Sequence, residues 1–498
     1  MNKDRYFDKV LVANRGEIAI RVMRACREMG IETVAVYSEA DTDALYVKFA
    51  DEAFLIGAAH PTKSYLNMGR ILEVAEMAGA DAIHPGYGFL AEKAAFSGAV
   101  KKAGITFIGP SEKTIAMMGS KIGSKQAMSD AGVPVLPWTK STDHDEAKAF
   151  AELIGYPVIV KASAGGGGIG MTIVRNAAEM GEAIEKSMRT AASAFGDSTV
   201  FIEKYLENPR HIEVQVFADA KGEVVHMFER ECSIQRRHQK LIEEAPCSIM
   251  MPELRERMTQ AAITVAKTCC YENAGTVEFL YDNGNYYFME MNTRLQVEHT
   301  VTELITGMDM VRMQIEVAAG EPLPYPQDQI TYRGHAIECR VNAEDPMNDF
   351  AANTGRITRY RSPGGPGVRI DSCIHAGYTI PPLYDSMIAK LCVCAMTRDE
   401  TIARMRRALT EYVIVGVKTT LPLHYAIMNN PQFIAGNTHT HFLAEPEVRK
   451  NLPRYMLESE TRMHQLADSL GKGKEKIIAA TAAAVNVYLS AAAAKKKR

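Results

Sequence analysis

Residues 276–299, TVEFLYDNGNYYFMEMNTRLQVEH, set an Asp-Asn-Gly-Asn turn between two apolar-aromatic runs. An Asn-Gly turn flanked by β-forming residues is a strong hairpin signal. The register of that hairpin decides what it can do. A two-residue loop at Asn283-Gly284 puts Glu278 opposite Met289, with Glu278 and Glu290 on different faces. A three-residue loop, 283 to 285, makes Glu278 and Glu290 cross-strand neighbours on one face. Two carboxylates held about 4 Å apart repel by about 4 kcal/mol at an effective dielectric of about 20. Such a pair is either splayed into solvent or bridged by a cation. Hard oxygen ligands with Asn292 alongside suit magnesium bridged to phosphates.

Beyond Glu290 the polar positions continue with period two, at Asn292, Arg294, Gln296 and Glu298. The plain reading is a solvated strand face. An extended 290–298 segment spans about 26 Å, too long for one small site, so a functional reading requires the chain to bend near Arg294. Residues 229–246, ERECSIQRRHQKLIEEAP, pack Arg230, Arg236, Arg237, His238 and Lys240 beside four glutamates. Alone, this is as consistent with a salt-bridged surface loop as with a binding site. In KYLENPRHIEVQV, Glu203 and Lys204 end one strand and His211 opens the next, a junction able to show backbone groups to a purine edge. In VIVKASAGGGGIGM, residues 158–171, Lys161 precedes Gly165, Gly166, Gly167 and Gly168, and no Gly-Lys-Ser or Gly-Lys-Thr follows. The stretch is therefore either a nucleotide loop unlike the Walker type or a flexible connector.

The chain has 498 residues, 47% apolar and 23% charged, with a net charge of −3, enough for two to four domains and no electrostatic pull toward nucleic acid. Its nine cysteines include no pair of C-x-x-C units, which argues against zinc and disulfides and for a reducing, cytoplasmic setting. The N-terminus carries no signal-peptide pattern, and the alanine-rich 477–494 segment, broken by Thr481, Asn486 and Ser490, reads as a soluble helix instead of a membrane span. Strand and helix patterns alternate over the first hundred residues as in a Rossmann-like layer, but without G-x-G-x-x-G. Residues 133–138, VPVLPW, read as an extended connector. The compact unit that follows, to about 206, has the size of a lid. Residues 211–300 are strand-rich, Pro322, Pro324 and Pro326 mark a boundary, a mixed segment runs to 443, and the tail is helical.

Taken together, ANRGEIAIR, HPGYGFLAE, KASAGGGGIGM, RECSIQRRHQKLIEEAP, EMNTRLQVEHTVTE and HAIECRVNAEDP resemble, in order, the signature segments of the biotin carboxylase family. The resemblance covers residues 7 to about 443. It implies an α/β and α+β multidomain fold: a Rossmann-like pre-ATP-grasp domain over 1–115, an ATP-grasp domain over 116–320 with a mobile lid at about 136–205, and a biotin carboxylase C-terminal domain over 334–443, before the 450–498 tail. The implied reaction phosphorylates bicarbonate with ATP, and the carboxyphosphate formed delivers CO2 to N1′ of biotin. By position, Lys121, Lys161, His211, Gln235 and His238 match nucleotide contacts, as do the four glycines, and Glu203, Lys204 and Leu206 match the adenine-recognising junction. Glu278, Glu290 and Asn292 match ligands of Mg2+ (or Mn2+), which selects the three-residue loop. Lys240, Arg294, Gln296 and Val297 match the bicarbonate pocket, Val297 through its backbone. Glu298 matches the general base and Arg340 the donor to biotin.

Ile169 departs from the basic residue many relatives carry in the glycine loop, and a modest change in lid closure or nucleotide affinity is expected. No Ala-Met-Lys-Met is present; CAMTRD carries Thr397 where the lysine would stand. Biotin and the acceptor chemistry are therefore expected on a biotin carrier/carboxyltransferase subunit. The long tail resembles extensions of two-subunit pyruvate carboxylases, whereas acetyl-CoA carboxylase subunits commonly end near residue 450. Pyruvate is thus the expected acceptor, with acetyl-CoA or propionyl-CoA as the alternative. Another ATP-grasp ligase is disfavoured by Arg340 and the bicarbonate pocket, and a non-catalytic ATP-binding scaffold by intact Glu298 and Lys240. Arg21 and Arg24 match the family's dimer contact, so a homodimer within a larger complex is expected.

Overall fold

The computed structural model describes residues 6–140, 143–163 and 170–469. Asn283 and Gly284 form the hairpin turn with φ of 47° and 85°. Positive φ at both central positions is what an Asn-Gly pair accepts most readily, so the loop has two residues. Strands Asn273–Asp282 and Asn285–Asn292 then pair Asp282 with Asn285, Tyr281 with Tyr286 and Phe279 with Phe288. At that point the register shifts, and Glu278 stands opposite Glu290. Met289 is the extra residue of a β-bulge. The three-residue loop is therefore corrected: the turn follows its local sequence preference, and the bulge, one step further in, brings the two glutamates together.

This hairpin is one edge of an eight-stranded sheet, ordered from Asn285–Asn292 through Asn273–Asp282, Arg210–Ala218, Val224–Arg236, Gln239–Ala245, His335–Asn342 and Met387–Ala395 to Val368–Ser372. Every pairing in it is antiparallel. The prolines at 322–326 do not divide this sheet. Strand Gln239–Ala245, before them, pairs with His335–Asn342, after them, in a ladder from Ile242–Cys339 to Ala245–Ala336. The two segments thus share one backbone hydrogen-bond network, and residues of one position side chains of the other.

The N-terminal segment forms a separate parallel sheet, with Lys9–Val12 flanked by Glu32–Ser38 and Ala82–His84 and with Glu52–Gly57 and Thr106–Phe107 at the edges. Helix Gly16–Glu28 buries Ile18, Val22 and Cys26 against the large apolar core that also holds Ile337, Leu391 and Leu409. A third unit, the four-stranded sheet Trp138–Thr139, Val200–Lys204, Val158–Ala162 and Thr172–Val174, has its own small core with helices His144–Ile154 and Met180–Phe195. The chain is helical from 446 to 469. Gly165 to Gly168, Ile169 and the 470–498 part of the tail lie outside the described residues. Among the described residues no helix is long and apolar enough to cross a membrane.

The turn offers a clean test of its backbone requirement, because a Cβ on Gly284 meets nothing within 4 Å. Gly284→Val should lower stability by about 1–2 kcal/mol through backbone strain alone, read as a shifted denaturant midpoint.

Candidate active site

The bulge completes a row of charged side chains across four adjacent strands. Arg230 pairs with Glu213, Glu213 with Glu278, and Glu278 with Glu290. The neighbouring row sets Gln215 beside Thr276 and Thr276 beside Asn292. All these positions alternate with core residues such as Ile212, Val214 and Val277, so the polar face is as inward as the apolar one.

A carboxylate row this buried requires cations. Arg230 is fully buried and donates to Glu213 Oε1 at 2.5 Å, Gln215 Oε1 at 2.7 Å and Gln296 Oε1 at 2.9 Å. Lys240 Nζ donates to three carboxylates at once: Glu213 Oε2 at 2.6 Å, Glu278 Oε1 at 2.7 Å and Glu298 Oε1 at 2.6 Å. An ammonium has three donors, and here all three are engaged. Arg340 donates from Nη2 to Glu298 Oε2 at 2.9 Å and from Nε to Glu243 Oε1 at 2.6 Å. Burial disfavours the charged form of Glu298, but Lys240, Arg340 and Arg230 outweigh it and hold the carboxyl well below the usual range. Burial raises Glu243 instead, to about 8, against the pull of Arg340.

The chain does bend at Arg294. The strand ends at Asn292, residues 293–294 turn, and helix His299–Thr306 begins directly after Glu298. The solvated-face reading fails, since Asn292, Gln296 and Glu298 are 9%, 3% and 1% exposed. Arg294 Nε lies 3.0 Å from Glu92 Oε2, and Nη2 donates to Asn292 Oδ1 at 3.0 Å. Gln296 and Asn292 both donate to Glu278 Oε1, at 2.8 and 2.9 Å.

The basic cluster at 229–246 is a salt-bridged surface turn only at its tip, where Arg236 and Arg237 pair with Asp349, while Arg230, Glu243 and Glu244 are buried. Arg237 and His238 form a two-residue turn with φ of 49° and 64°. Two adjacent non-glycine residues in the left-handed region cost about 1–3 kcal/mol each, a strain typical of functional sites. The turn points His238 and Lys240 into one cavity of about 760 Å3. Gln235 Nε2 donates to His211 Nδ1 at 2.7 Å, and His211 Nε2 lies 3.1 Å from Glu278 Oε2. At the far end Lys161 donates to Glu203 Oε2 at 2.7 Å while Lys125 holds Oε1. Lys204 turns away to the carbonyl of Gly155 at 2.7 Å. The Glu203 and Lys204 side chains are thus committed, which leaves backbone as what this junction can show a purine.

Lys121, Lys161, Glu203, Lys204, Leu206, His211, Gln235, His238, Lys240, Glu278, Glu290, Asn292, Arg294, Gln296, Val297, Glu298 and Arg340 all line that single cavity. Gly165 to Gly168 lie outside the described residues. Arg21 is spent within the chain, on Glu303 and Asp309 at 2.7 Å each, while Arg24 is exposed. Other residues at the site carry no motif of their own. Glu213 and Gln215 are marked only by their period-two place between His211 and a run of valines, and Lys125 by nothing local.

The donor set fits a divalent cation. Glu278 and Glu290 are paired, Lys240 and then His211 hold Glu278 well below its ordinary range against its burial, and burial followed by the Glu278 charge raises Glu290. Asn292 joins such a set once its Oδ1 leaves Arg294. The nearby His211, Glu213 and Glu278 cluster has ligand atoms within 4.8 Å of one another, but there Lys240 already supplies the positive charge. Burial and then Lys121 lower Lys161 to about 8. A lysine attracts phosphate only while protonated. On the reading of Lys161 as a contact of the ATP phosphates, the KM for ATP should rise as pH increases through about 8, and Lys161→Arg should remove that rise, measured by steady-state kinetics from about pH 7 to about pH 9, roughly one unit either side of the lysine titration.

Three family models match the chain: biotin carboxylase, N-terminal domain, over residues 6–115; carbamoyl-phosphate synthase L chain, ATP binding domain, over 120–325; and biotin carboxylase C-terminal domain over 338–445. A pyruvate carboxylase subunit of Methanothermobacter thermautotrophicus is 59% identical over 487 residues, 97% of this chain and 99% of that one. Biotin carboxylase 1 of Bacillus subtilis is 52% identical over 444 residues, 88% of this chain and 99% of that one. Among solved structures, the biotin carboxylase domain dimer of the Hydrogenobacter thermophilus 2-oxoglutarate carboxylase, in complex with MgADP, ADP and bicarbonate, superimposes with a TM-score of 0.86 at 52% identity, covering 89% of this chain and 98% of that one.

Proposed function

The chain belongs to the biotin carboxylase family of ATP-grasp enzymes, and we propose that it uses ATP and bicarbonate to carboxylate biotin borne on a partner subunit. The observation that carries this reading is the placement of Glu298 between Lys240 and Arg340, beside the carboxylate row. A carboxylate base, a cation for the phosphoryl group and a forked donor for the acceptor thus meet in one cavity.

Bicarbonate enters against Arg294, Gln296 and the Val297 backbone, and Lys240 turns one of its three donors toward it. Releasing Glu298 weakens the attraction that keeps it ionised and raises its basicity, so it accepts the bicarbonate proton. The freed oxygen attacks the γ-phosphorus of ATP, the bond to the β,γ-bridging oxygen breaks, and ADP and carboxyphosphate result. Lys240, Lys161 and Lys121 face the charge that spreads over the transferring group. Glu278 and Glu290, joined by Asn292, would hold magnesium, which when bound neutralises charge on the phosphates. Carboxyphosphate then breaks its C–O bond to give CO2 and phosphate. The phosphate takes the N1′ proton of biotin, the ureido oxygen gains negative charge, and N1′ attacks CO2. Arg340 is the donor for that oxygen, since a guanidinium stays charged and offers parallel N–H groups.

Pyruvate is the acceptor we favour, on a separate carboxyltransferase and carrier subunit. The match to the Methanothermobacter pyruvate carboxylase protein takes in 97% of this chain, and so reaches into the tail, whereas the match to the Bacillus enzyme covers 88%. Similarity to a 2-oxoglutarate carboxylase small subunit, 52% identical over 442 residues, favours a related 2-oxo acid as the second reading. All nine cysteines are free thiols, which suits work in the cytoplasm.

Glu298→Gln should lower bicarbonate-dependent ATP turnover by about 10²–10⁴-fold while ADP affinity is kept, compared by stopped assays and calorimetry. A native pull-down probed with streptavidin should recover a biotinylated partner whose companion domain binds pyruvate.

A further inference from the structure

Behind the bicarbonate end of the cavity stands a buried lysine that the reaction above leaves unused. Lys390, on strand Met387–Ala395, has no exposed surface. Its Nζ donates to the carbonyl of Val297 at 3.1 Å and lies 3.3 Å from Glu17 Oε1 and 3.8 Å from Asp371 Oδ2. Removing an ammonium from water costs several kcal/mol, so its partners must compensate. Asp371 does not need it, because Arg369 already grips both Asp371 oxygens at 3.0 and 2.8 Å. Glu17 does: it is 4% exposed and its oxygens accept no hydrogen bond among the described residues. Glu17 and Lys390 are therefore a buried pair whose one directed bond goes to the Val297 peptide.

The preceding peptide is held in the same way. His299 Nδ1 lies 2.7 Å from the carbonyl of Gln296. Burial, then Lys390 and Arg21, push this imidazole well below its usual range, so it is neutral and its carbonyl partner assigns the proton to Nδ1. In a trans peptide the C=O and N–H point in opposite directions. Holding the Gln296 carbonyl from behind therefore aims the Val297 N–H the other way, and holding the Val297 carbonyl fixes the next peptide plane, which leads into Glu298. Val297 and Glu298 both line the cavity.

We propose that Lys390, with Glu17 as its counter-ion, and His299 are positioning residues that clamp the 296–298 backbone and thereby aim the Val297 N–H and the Glu298 carboxylate at bicarbonate. This rests on the assignment of Val297 and Glu298 to bicarbonate. It makes the site depend on all three parts of the chain, since Glu17 comes from the first sheet's helix, His299 from the helix after the bend and Lys390 from beyond the prolines.

The test measures ATP turnover against bicarbonate and against ATP for the full-length chain, for Lys390→Met, for the double variant Glu17→Gln/Lys390→Met and for His299→Leu. The double variant removes both charges of the pair and so avoids stranding Glu17. The KM for bicarbonate should rise roughly tenfold or more in the Lys390 variants, the scale of losing a charge-assisted hydrogen bond, and about two- to tenfold in His299→Leu, the scale of losing a neutral one, while the KM for ATP stays unchanged. A folded double variant, or a folded His299→Leu, with a wild-type KM for bicarbonate overturns the clamp. So does a fall in kcat with both KM values unmoved. A wild-type chain whose turnover ignores bicarbonate overturns instead the assignment on which the clamp rests, and the two failures are told apart by the wild-type titration alone.

Discussion

Lys240 holds three carboxylates on one ammonium, and the rest of the site is arranged around that fact. Glu213, Glu278 and Glu298 come from two strands and from the end of the bend, and none of them tolerates burial without a cation. Arg230 takes up the other side of Glu213, and Arg340 the other side of Glu298. With every lysine donor engaged, substrate gains Lys240 only by loosening a carboxylate. In the proposed mechanism, the strongly ionised Glu298 of the free protein and the base that accepts the bicarbonate proton are the same group in two states of one network.

The fold makes this network possible by refusing to separate its parts. The sheet runs uninterrupted from the hairpin edge into the last third of the chain, so Arg340 reaches Glu243 from the adjacent strand and, from the same place, the Glu298 carboxylate beyond the bend. Glu92 anchors Arg294 from the N-terminal part, and Lys390 reaches Val297 from the far end. The four-stranded unit, with its own core, contributes Lys161 and Glu203.

Much of this was readable in the residues. The hairpin, the alternating strands, the first α/β layer and the demand for a bend at Arg294 follow from local pattern and from reach. The bulge did not follow, because Asn283-Gly284 dictates a two-residue turn locally while Glu278 and Glu290 meet through a register shift set by packing further along. The prolines at 322–326 mark a real break in the chain path but say nothing of the pairing between the strands on either side, which is a long-range choice. Lys125, Glu243 and Lys390 are similarly silent in sequence. Each is an ordinary charged residue until a partner distant in the chain, Glu203, Arg340 or Val297, gives it a place.

In the proposed mechanism, phosphoryl transfer is directed to bicarbonate and linked to biotin through one base, one lysine and one arginine. The decisive measurement is ATP hydrolysis by the purified chain with magnesium, titrated with bicarbonate in the absence and presence of free biotin. Turnover should need bicarbonate and rise when biotin is added. Hydrolysis that proceeds equally in bicarbonate-depleted buffer and is indifferent to biotin would contradict that mechanism.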